Sequence, residues 1–365
     1  MQIELSALLN LHLVDGIGSN RLRALVNKFD GRLEAIFQAD LKELNTIEGI
    51  DLKLAQRIRQ AANQNYAESQ IELAQKHNTR IITFWDKEYP ENLKRIYDPP
   101  VLLFVRGELN PTDHLAIAVV GTRVPTNYGK FSAETFSRQL AREGIVIVSG
   151  LARGIDTIAH VSALKAGGRT IAVLGCGVDV IYPAENKKLF YEIIEHGAVI
   201  SEFLMGTKPD ATNFPRRNRI VSGLSLGVLV IEAGAKSGAL ITANMALEQN
   251  REIFALPGNI NSPKSFGCNK LIMEGAKLAM QTDDILDELR PQLNHLLKKE
   301  KIRTKQVSLT PVEQSLLESL SHEALHIDRI ASENNLSISQ ALGTLLTLEL
   351  KELVRQLPGK YFIRV

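Results

Sequence analysis

The segment from Val119 to Gly129, VVGTRVPTNYG, places a short apolar run directly before Gly-Thr-Arg and a helical pattern. This order predicts a buried β-strand, a tight turn and a helix. In strand-turn-helix geometry, the N–H groups of the turn and the helix N-terminus point toward one place, where they stabilise an anion. Arg123 adds a positive charge there. We therefore predict a phosphate-binding turn at Gly121, Thr122 and Arg123.

Two common nucleotide-binding motifs do not fit this turn. Gly121 is not followed by the further glycines of a dinucleotide fingerprint, and no Gly-Lys-Ser/Thr closes a Walker loop. The next apolar run ends at Ser149-Gly150, where an NAD site would have an acidic residue for the ribose. The turn thus predicts an anion site unlike ordinary NAD and ATP pockets, and we expect no cofactor.

Outward from this turn, residues 112–290 alternate short apolar runs with amphipathic segments. The runs are LAIAVV, GIVIVSG, TIAVLG, AVISE, LGVLVIEA and REIFALPG. Nearly continuous apolar strands that alternate with helices are typical of a parallel sheet covered on both faces. The sequence therefore predicts an α/β fold with a Rossmann-like, doubly wound, mostly parallel sheet.

Composition limits the classes of protein to consider. A chain of 365 residues predicts two or three domains, and its net charge of +2 does not by itself indicate a nucleic-acid partner. Only two cysteines are present, Cys176 and Cys268, which indicates a reducing compartment and packing roles. The N-terminus lacks a signal-peptide pattern, and no apolar run approaches the roughly 20 residues of a membrane span. We expect a cytoplasmic protein without membrane contact.

The predicted domains are a helical module at 1–75, the Rossmann-like domain at 76–290, a linker at 291–309 and a small domain at 310–365. The helical module has two similar turns, Val14–Gly18 and Ile47–Asp51, typical of a SAM-like or helix-hairpin-helix repeat. Such turns can offer backbone amides to a DNA phosphate. Asp51 weakens that interpretation for the second turn, and a purely structural module is the alternative.

The C-terminal pattern of three helices and a hairpin predicts a winged-helix domain. Its third helix offers Ser339, Gln340 and Thr344 but no arginine, and residues 310–365 contain seven acidic and five basic residues. A duplex-reading helix is normally more basic. We predict a protein-contact or accessory role for this domain, with weak DNA contact as the alternative.

Basic residues follow several of the predicted strands. The carboxyl ends of parallel strands form one edge of a sheet, where ligands bind. The basic residues near that edge are Arg123, Arg153, Lys187, Lys188, Arg216, Arg217, Arg219 and Lys236. Several cationic loops along one edge suit an extended polyanion better than a single phosphate. Aromatic residues are few in these loops, and Tyr182 and Phe214 are the only obvious stacking candidates. Phosphate contacts should therefore outweigh base contacts.

The motifs VVGTR, SGLARGIDTIAH, AVLGCGVDVIYPAEN, FPRRNRIVSGLS, EAGAKSGALITA and FALPGNI resemble those of the DNA-processing protein A family (DprA/Smf) in order and spacing. The three-part layout also resembles that family. The resemblance implies a cytoplasmic bacterial protein that binds incoming single-stranded DNA during natural transformation and loads the RecA recombinase on it. It also implies a homodimer formed through the Rossmann-like domain, and no enzymatic activity.

Carried over motif by motif, the DNA-contacting residues that the resemblance implies are Gly121, Thr122, Arg123, Ser149, Gly150, Arg153, Lys187, Arg217, Asn218, Arg219, Ser237 and Gly238. Ser237 and Gly238 begin a predicted helix and would donate hydroxyl and backbone hydrogen bonds to a phosphate. No catalytic residue and no metal ligand is expected.

Alternatives remain for several of these residues. Arg217 and Arg219 could instead form ion pairs with Glu202 or Glu232, and Lys187 or Lys188 could lie on a solvated helix face. Asp156 and His160, spaced i and i+4, permit an acid/base interpretation. We favour instead an interpretation in which Asp156 stabilises the positive N-terminus of a helix and His160 packs beneath the loop before that helix.

Two other classes of protein also remain open. A nucleoside-monophosphate phosphoribohydrolase would use the same sheet edge, although EAGAKSGALITA replaces the Pro-Gly-Gly-x-Gly-Thr-x-x-Glu segment of those enzymes. A scaffold with a vestigial anion pocket is the third possibility. Leu271, Ile272 and Met273 could form a self-association face or pack in the core. A narrow cleft would select a single strand over a duplex.

Overall fold

A computed structural model of the chain describes residues 4–61, 66–301, 309–321, 324–351 and 353–364. The chain divides into two compact units, residues 1–291 and residues 292–365. The first unit contains a helical module and a nine-stranded sheet, and the second contains a three-stranded sheet with helices. Within the described ranges, no helix is both long and apolar enough to cross a membrane.

The N-terminal module is helical, as the sequence predicts. Its helices are α1 (Leu5–His12), α2 (Ser19–Lys28), α3 (Leu33–Gln38), α4 (Leu41–Leu44), α5 (Leu52–Gln60) and α6 (Tyr66–Lys76). Helix α5 shows how they form: Leu54 and Ile58 are buried one turn apart, while Arg57 lies on the outer side. The helices therefore enclose an apolar core, which residues of β2 and Met205 complete.

The large sheet has the order β1-β2-β6-β5-β4-β3-β7-β8-β9. Its strands are β1 (Arg80–Thr83), β2 (Leu102–Gly107), β3 (Ala116–Val120), β4 (Val146–Ser149), β5 (Thr170–Val173), β6 (Ala198–Ser201), β7 (Gly227–Val230), β8 (Glu252–Ala255) and β9 (Lys277–Leu278). Strands β3 to β9 are parallel, and β1 and β2 add an antiparallel edge. Every residue of β3 to β7 is buried. The prediction of a mostly parallel, doubly wound sheet is confirmed.

The connecting segments contain helices α7 (Glu91–Lys94), α8 (Asn127–Arg142), α9 (Ile155–Lys165), α10 (Lys187–His196), α11 (Asn213–Leu224), α12 (Gly238–Glu248), α13 (Phe266–Met273) and α14 (Thr282–Lys301). Strand β3 lies between β4 and β7, so the chain winds outward from β3 in both directions. This reversal creates a topological switch point, and a crevice opens there at the carboxyl ends of the strands.

The helical module packs against loops of the sheet within the first unit. The Gln70 amide accepts a hydrogen bond from Met205 N at 2.8 Å, and Met205 also packs in the apolar core of the module. Tyr89 is buried and donates its hydroxyl to Pro100 O at 2.7 Å, while Trp85 packs against the module. Both aromatic residues therefore serve packing within the first unit.

The segment predicted as a linker begins as helix. Helix α14 continues through Pro291 to Lys301, and residues 302–308 lie outside the described residues. Leu289, Leu293 and Leu297 keep the spacing of one helix face through this segment. The helical spacing thus continues past Pro291 into the segment that we predicted as a linker.

The second unit has the predicted winged-helix pattern. Its elements are α15 (Pro311–Glu318), β10 (Leu325–His326), α16 (Ile327–Glu333), α17 (Ile338–Leu350), β11 (Val354–Leu357) and β12 (Tyr361–Arg364). Strands β11 and β12 form the hairpin, and β10 pairs with β12. On α17 the Gln340 side chain accepts hydrogen bonds from Ser337 N at 3.1 Å and Ser337 Oγ at 2.8 Å, completing a capping box. Thr344 donates its hydroxyl to Gln340 O. These polar side chains are engaged locally.

Candidate nucleic-acid interface

A cleft of about 1110 Å³ lies at the switch point. The loops that follow β3, β4 and β7 form its floor, and the starts of α12 and α13 form one wall. Eight of the twelve predicted site residues line it: Gly121, Thr122, Arg123, Gly150, Arg217, Asn218, Ser237 and Gly238. Residues from four separate segments of the chain, including helix α11, therefore meet where the sheet topology predicts a ligand.

The Gly-Thr-Arg turn is interlocked with its neighbours. Thr122 N donates to Glu232 O at 2.8 Å, and Thr122 O accepts from Ile155 N at 3.2 Å. A Cβ at Gly121 would lie 2.6 Å from Ile155 Cγ1. Gly154 has φ +80°, and a Cβ there would overlap the carbonyl oxygen of Thr122. Glycine is needed at both positions because two loops approach each other closely.

The start of α8 is not available to a phosphate, which corrects part of our prediction. Buried Glu232 accepts hydrogen bonds from Thr126 N at 2.8 Å and from Thr126 Oγ1 at 2.7 Å. Thr126 Oγ1 in turn accepts from Gly129 N. A carboxylate of the protein thus occupies the place where the strand-turn-helix pattern predicted an external anion.

Arg123 points into the cleft. Its guanidinium carbon lies 5.6 Å from the centre of the Phe214 ring, and the residue is exposed. No ion pair involves Arg123 in the part of the chain that the structure describes. Its charge is therefore directed at solvent within the cleft.

Arg217 is only 5% exposed and acts as a brace beneath the floor. Its Nη1 donates to Gly150 O at 2.5 Å and to Val173 O at 2.6 Å, which joins the ends of β4 and β5. A Cβ at Gly150 would overlap the guanidinium. Our alternative of an ion pair with Glu202 or Glu232 does not describe Arg217, because its hydrogen-bond acceptors are backbone carbonyls.

Asp156 faces the same loop from the first turn of α9. Its Oδ2 accepts from Gly150 N at 3.1 Å and from Ala152 N at 3.4 Å. Burial raises the pKa of Asp156, and the nearby Arg217 guanidinium opposes that rise. The buried carboxylate and the buried guanidinium together hold the loop that follows β4.

Asp156 and His160 do not form an acid/base pair. His160 is fully buried, and its Nδ1 lies 2.6 Å from Thr170 Oγ1. Burial and the Arg217 charge lower the pKa of His160 to about 3, so the ring is neutral. The structure therefore agrees with the packing interpretation for this histidine.

Neither cysteine has the surroundings of a nucleophile. Cys176 and Cys268 are both buried, and burial raises the pKa of their thiols to about 11 and about 12. Among the described residues, no cluster of three or more His, Cys, Asp or Glu could hold a metal ion.

The start of α12 offers a backbone donor to the cleft, the amide of Gly238. Ser237 Oγ accepts from Ala239 N at 3.3 Å and keeps its own proton available for donation. Gly238 is exposed, and nothing lies within 4 Å of the position of a Cβ there. Lys236 is exposed directly before this turn. The N-terminus of this eleven-residue helix, the Ser237 hydroxyl and the Lys236 ammonium group together make an anion site.

The cleft is positively charged overall. Among the residues that the structure describes, its lining contains four cations, Arg123, Arg217, Lys236 and Lys264, and one carboxylate, Asp156. Lys264 donates from Nζ to Val124 O at 2.6 Å, which holds the ammonium group at the rim. We did not predict Lys264, which lies between β8 and α13.

Four predicted residues lie outside the lining of the large cleft. Ser149 is buried and donates to Val119 O at 2.6 Å. Arg219 pairs with Glu202 at 2.5 Å, as our alternative proposed. Arg153 contacts Glu185 and borders a side pocket of about 20 Å³. Lys187 is exposed at the start of α10, outside the lining.

Tyr182 and Phe214, the two stacking candidates, both line the cleft. Their ring centres are 5.8 Å apart and the ring planes are tilted by 33°. The starts of α12 and α13 add two lining side chains that we did not predict, Ile241 and Phe266. No periodicity signal distinguished these two residues from the core face of their helices.

The helical-module turns are stabilised internally. Asp51 caps α5 by accepting from Leu54 N at 2.7 Å, which accounts for an acidic residue at the second turn. At the first turn, Arg21 donates to Gly16 O at 2.6 Å and Arg57 pairs with Asp15. These contacts favour the structural interpretation of the repeat.

The fold and the cleft define a Rossmann-like protein with a cationic crevice at its switch point and a helical module before the sheet; a winged-helix domain follows. Family models match all three parts: SAM-like helix-hairpin-helix tandem at 8–64, DNA recombination-mediator protein A at 80–290 and DprA winged helix domain at 303–360. The chain belongs to the DNA recombination-mediator protein A family, which includes proteins named DprA and Smf.

Similar proteins match over long segments. Protein Smf of Synechocystis is 35% identical over 96% of this chain and 96% of its own length. The X-ray structure of DNA processing protein A from Streptococcus pneumoniae matches with a TM-score of 0.69 and 37% identity, covering 79% of this chain and 99% of that one. The corresponding Helicobacter pylori protein matches with a TM-score of 0.53 and 34% identity over 58% of this chain and 97% of that one.

Proposed function

We propose that this protein binds single-stranded DNA in the cleft at the switch point and processes it during natural transformation. The observation that carries the proposal is the charge of the cleft, whose lining has four cations and a single buried carboxylate. Phosphates of a nucleic-acid backbone complement such a surface along its length.

The residues divide into two roles. Arg123, Lys236, Ser237 and the amide of Gly238 are exposed or half-buried, and they supply charge and hydrogen bonds to phosphates. Arg217 holds the floor in shape and adds its charge at short range. Contacts of this kind read no sequence, so binding is salt-dependent and weakly sequence-selective.

The relatives support DNA as the ligand. The Streptococcus pneumoniae relative is described as a DNA processing protein, and the Helicobacter pylori structure is described as giving insight into a single-stranded DNA binding mode. The family description, recombination-mediator protein, is consistent with delivery of the strand to a recombinase. Loading of RecA in the cytoplasm is accordingly part of our proposal.

The test is a fluorescence-anisotropy titration with a labelled single strand, the matching duplex and a mononucleotide at two salt concentrations. The Arg123→Glu/Lys236→Glu variant should lose affinity, and the slope of log Kobs against log salt should fall by about 1.4, since each single-strand phosphate contact contributes ~0.7. Lys165→Glu is the matched control, because this exposed lysine ends α9 at the opposite edge of the sheet.

The outcomes separate the candidate functions. Tight, salt-sensitive single-strand binding that only the double variant loses supports the proposal. Equal affinity for single strand and duplex contradicts strand selection. Binding of the mononucleotide alone favours a phosphoribohydrolase-like enzyme, which release of the free base would then establish. Wild-type transformation frequency in cells carrying the double variant would favour the scaffold interpretation.

We also propose a homodimer formed through the Rossmann-like domain. Leu271 is buried and Ile272 packs against the core, so the predicted self-association face is reduced to Met273, which is 88% exposed. Leu278 and Met280, in and beside the short edge strand β9, extend it. Met273→Glu/Met280→Glu should convert a dimer to a monomer in light scattering, and an unchanged mass would contradict this proposal.

A further inference from the structure

One wall of the cleft carries two exposed apolar side chains. Phe266, the first residue of α13, is 55% exposed, and Ile241, in the first turn of α12, is 40% exposed. Both line the cleft, and they follow β7 and β8, which lie on the other side of β3 from the strands that precede Tyr182 and Phe214. We call Ile241 and Phe266 the α12–α13 wall. Exposed apolar area beside a charged surface is costly in water and often marks a binding surface.

Phe266 is held on a rigid part of the backbone. Gly267 N donates to Ala233 O at 2.8 Å, and a Cβ at Gly267 would lie only 2.8 Å from that oxygen. Asn269 anchors the same turn, since its side chain accepts from Gly258 N at 3.1 Å and donates to Gly258 O at 3.0 Å. The aromatic ring is thus presented without a large entropy cost on binding.

The other residues of α13 explain why Phe266 is not a core side chain. Gly267, Cys268 and Leu271 form the buried face of this helix. Phe266 lies on the side facing the cleft, where its neighbours in the lining are Pro263 and Lys264. Its exposure follows from its position on the helix.

We infer that the α12–α13 wall binds an unpaired nucleobase of the strand whose phosphates lie on the cationic floor, with Phe266 as the residue that selects single strands. This inference rests on the proposed function and adds a specificity determinant to it. The choice of occupant follows from charge complementarity: a ligand with phosphates for Arg123 and Lys236 and an apolar face for Phe266 is a nucleotide chain with its bases accessible.

Selection of single strands follows from the same geometry. A duplex offers the same phosphates, but the faces of its bases are stacked on each other. Phosphate contacts alone therefore give little discrimination. An aromatic side chain gains contact only with a base that is free to stack on it.

The test compares Phe266→Ala with Phe131→Ala, a matched control on α8 that is 69% exposed and outside the cleft lining. Titrations use a labelled single strand, an abasic strand of equal length and the duplex, at a salt concentration where wild type binds all three. Loss of one base–aromatic stack corresponds to about a 5- to 150-fold weaker affinity. We expect that loss for Phe266→Ala on the single strand only, with an unchanged salt slope.

A strand containing 2-aminopurine provides a direct readout. Stacking on Phe266 should alter its fluorescence when wild type binds, and Phe266→Ala should remove that part of the change. Equal single-strand affinities for Phe266→Ala and wild type would overturn the inference, as would an equal loss on the abasic strand. A wild type that binds no single strand would overturn the proposed function itself. These two failures are therefore distinguishable.

Discussion

Replacing Arg217 by Met removes the buried guanidinium that joins β4 to β5. The substitution eliminates hydrogen bonds to Gly150 O and Val173 O and leaves the Asp156 carboxylate buried beside a neutral side chain. Each hydrogen bond from a charged donor contributes about 1.5–3 kcal/mol, so the two lost bonds together correspond to ~3–6 kcal/mol. We therefore expect Arg217→Met to lower the free energy of unfolding of the first unit by about that amount.

The assay is urea unfolding at pH 7.5, followed by the fluorescence of Trp85, the single tryptophan, which packs in the first unit. The comparison variant is Arg123→Met, which removes an exposed cation of the cleft. That change should leave the unfolding free energy within about 0.5 kcal/mol of wild type. In DNA titrations under conditions where both variants are folded, Arg123→Met should lower the salt slope.

A double-mutant cycle tests the assigned cause. If Asp156 and Arg217 stabilise the loop as a pair, Asp156→Asn and Arg217→Met should be non-additive by ~1–3 kcal/mol. An Arg217→Met variant destabilised by less than 1 kcal/mol would refute the brace. Additive effects of the two substitutions would refute the pairing.

Three further predictions follow from the same structure. Burial lowers the pKa of His160 from 6.5 to about 3, so the native ring stays neutral, and its contribution to stability, complete above pH 6.5, is lost as pH falls toward 3. Between pH 7 and pH 5, the unfolding free energy of wild type should therefore fall by about 2 kcal/mol more than that of His160→Asn. Parallel profiles of unfolding free energy against pH for the two proteins would contradict this. Gly154→Ala should lower Tm more than Gly144→Ala, since both residues have positive φ but only the first would place its Cβ against another loop; equal shifts would exclude the close approach. Lys187→Glu should weaken single-strand binding less than Lys236→Glu, and the reverse order would place α10 in the interface.

The fold could be predicted because each buried strand corresponds to a short apolar run in the sequence. Runs such as LAIAVV and LGVLVIEA are apolar at nearly every position, which is typical of a strand covered on both faces of the sheet. The order of the strands within the sheet was harder to predict from the sequence than their positions along the chain. The edge strands β1 and β2 lie before residue 112, outside the alternating pattern of strands and helices from which the sheet was predicted. Helix α14 extends beyond Pro291, into the segment predicted as a linker, because a proline and a basic composition do not interrupt its apolar spacing.

The site was predictable at the level of loops and not of individual contacts. Gly121, Gly150 and Arg123 could be found because they follow apolar runs directly. The pairing of Glu232 with Thr126 could not, since 106 positions separate these residues and no local pattern connects them. Lys264 and Phe266 were missed for a related reason: whether a residue at the start of a helix faces a cleft depends on how that helix docks.

The position of β3 at the switch point bears on synthesis by the ribosome. On one side Ile117 pairs with Ile147, and on the other with Gly227. A nascent chain that has emerged only through β6 can form one half of the sheet, while β3 still lacks its second neighbour. The start of α12 and the α12–α13 wall emerge later still. The complete cleft thus arises only near the end of translation of the Rossmann-like domain, so partially synthesised chains lack the groups needed to hold a strand.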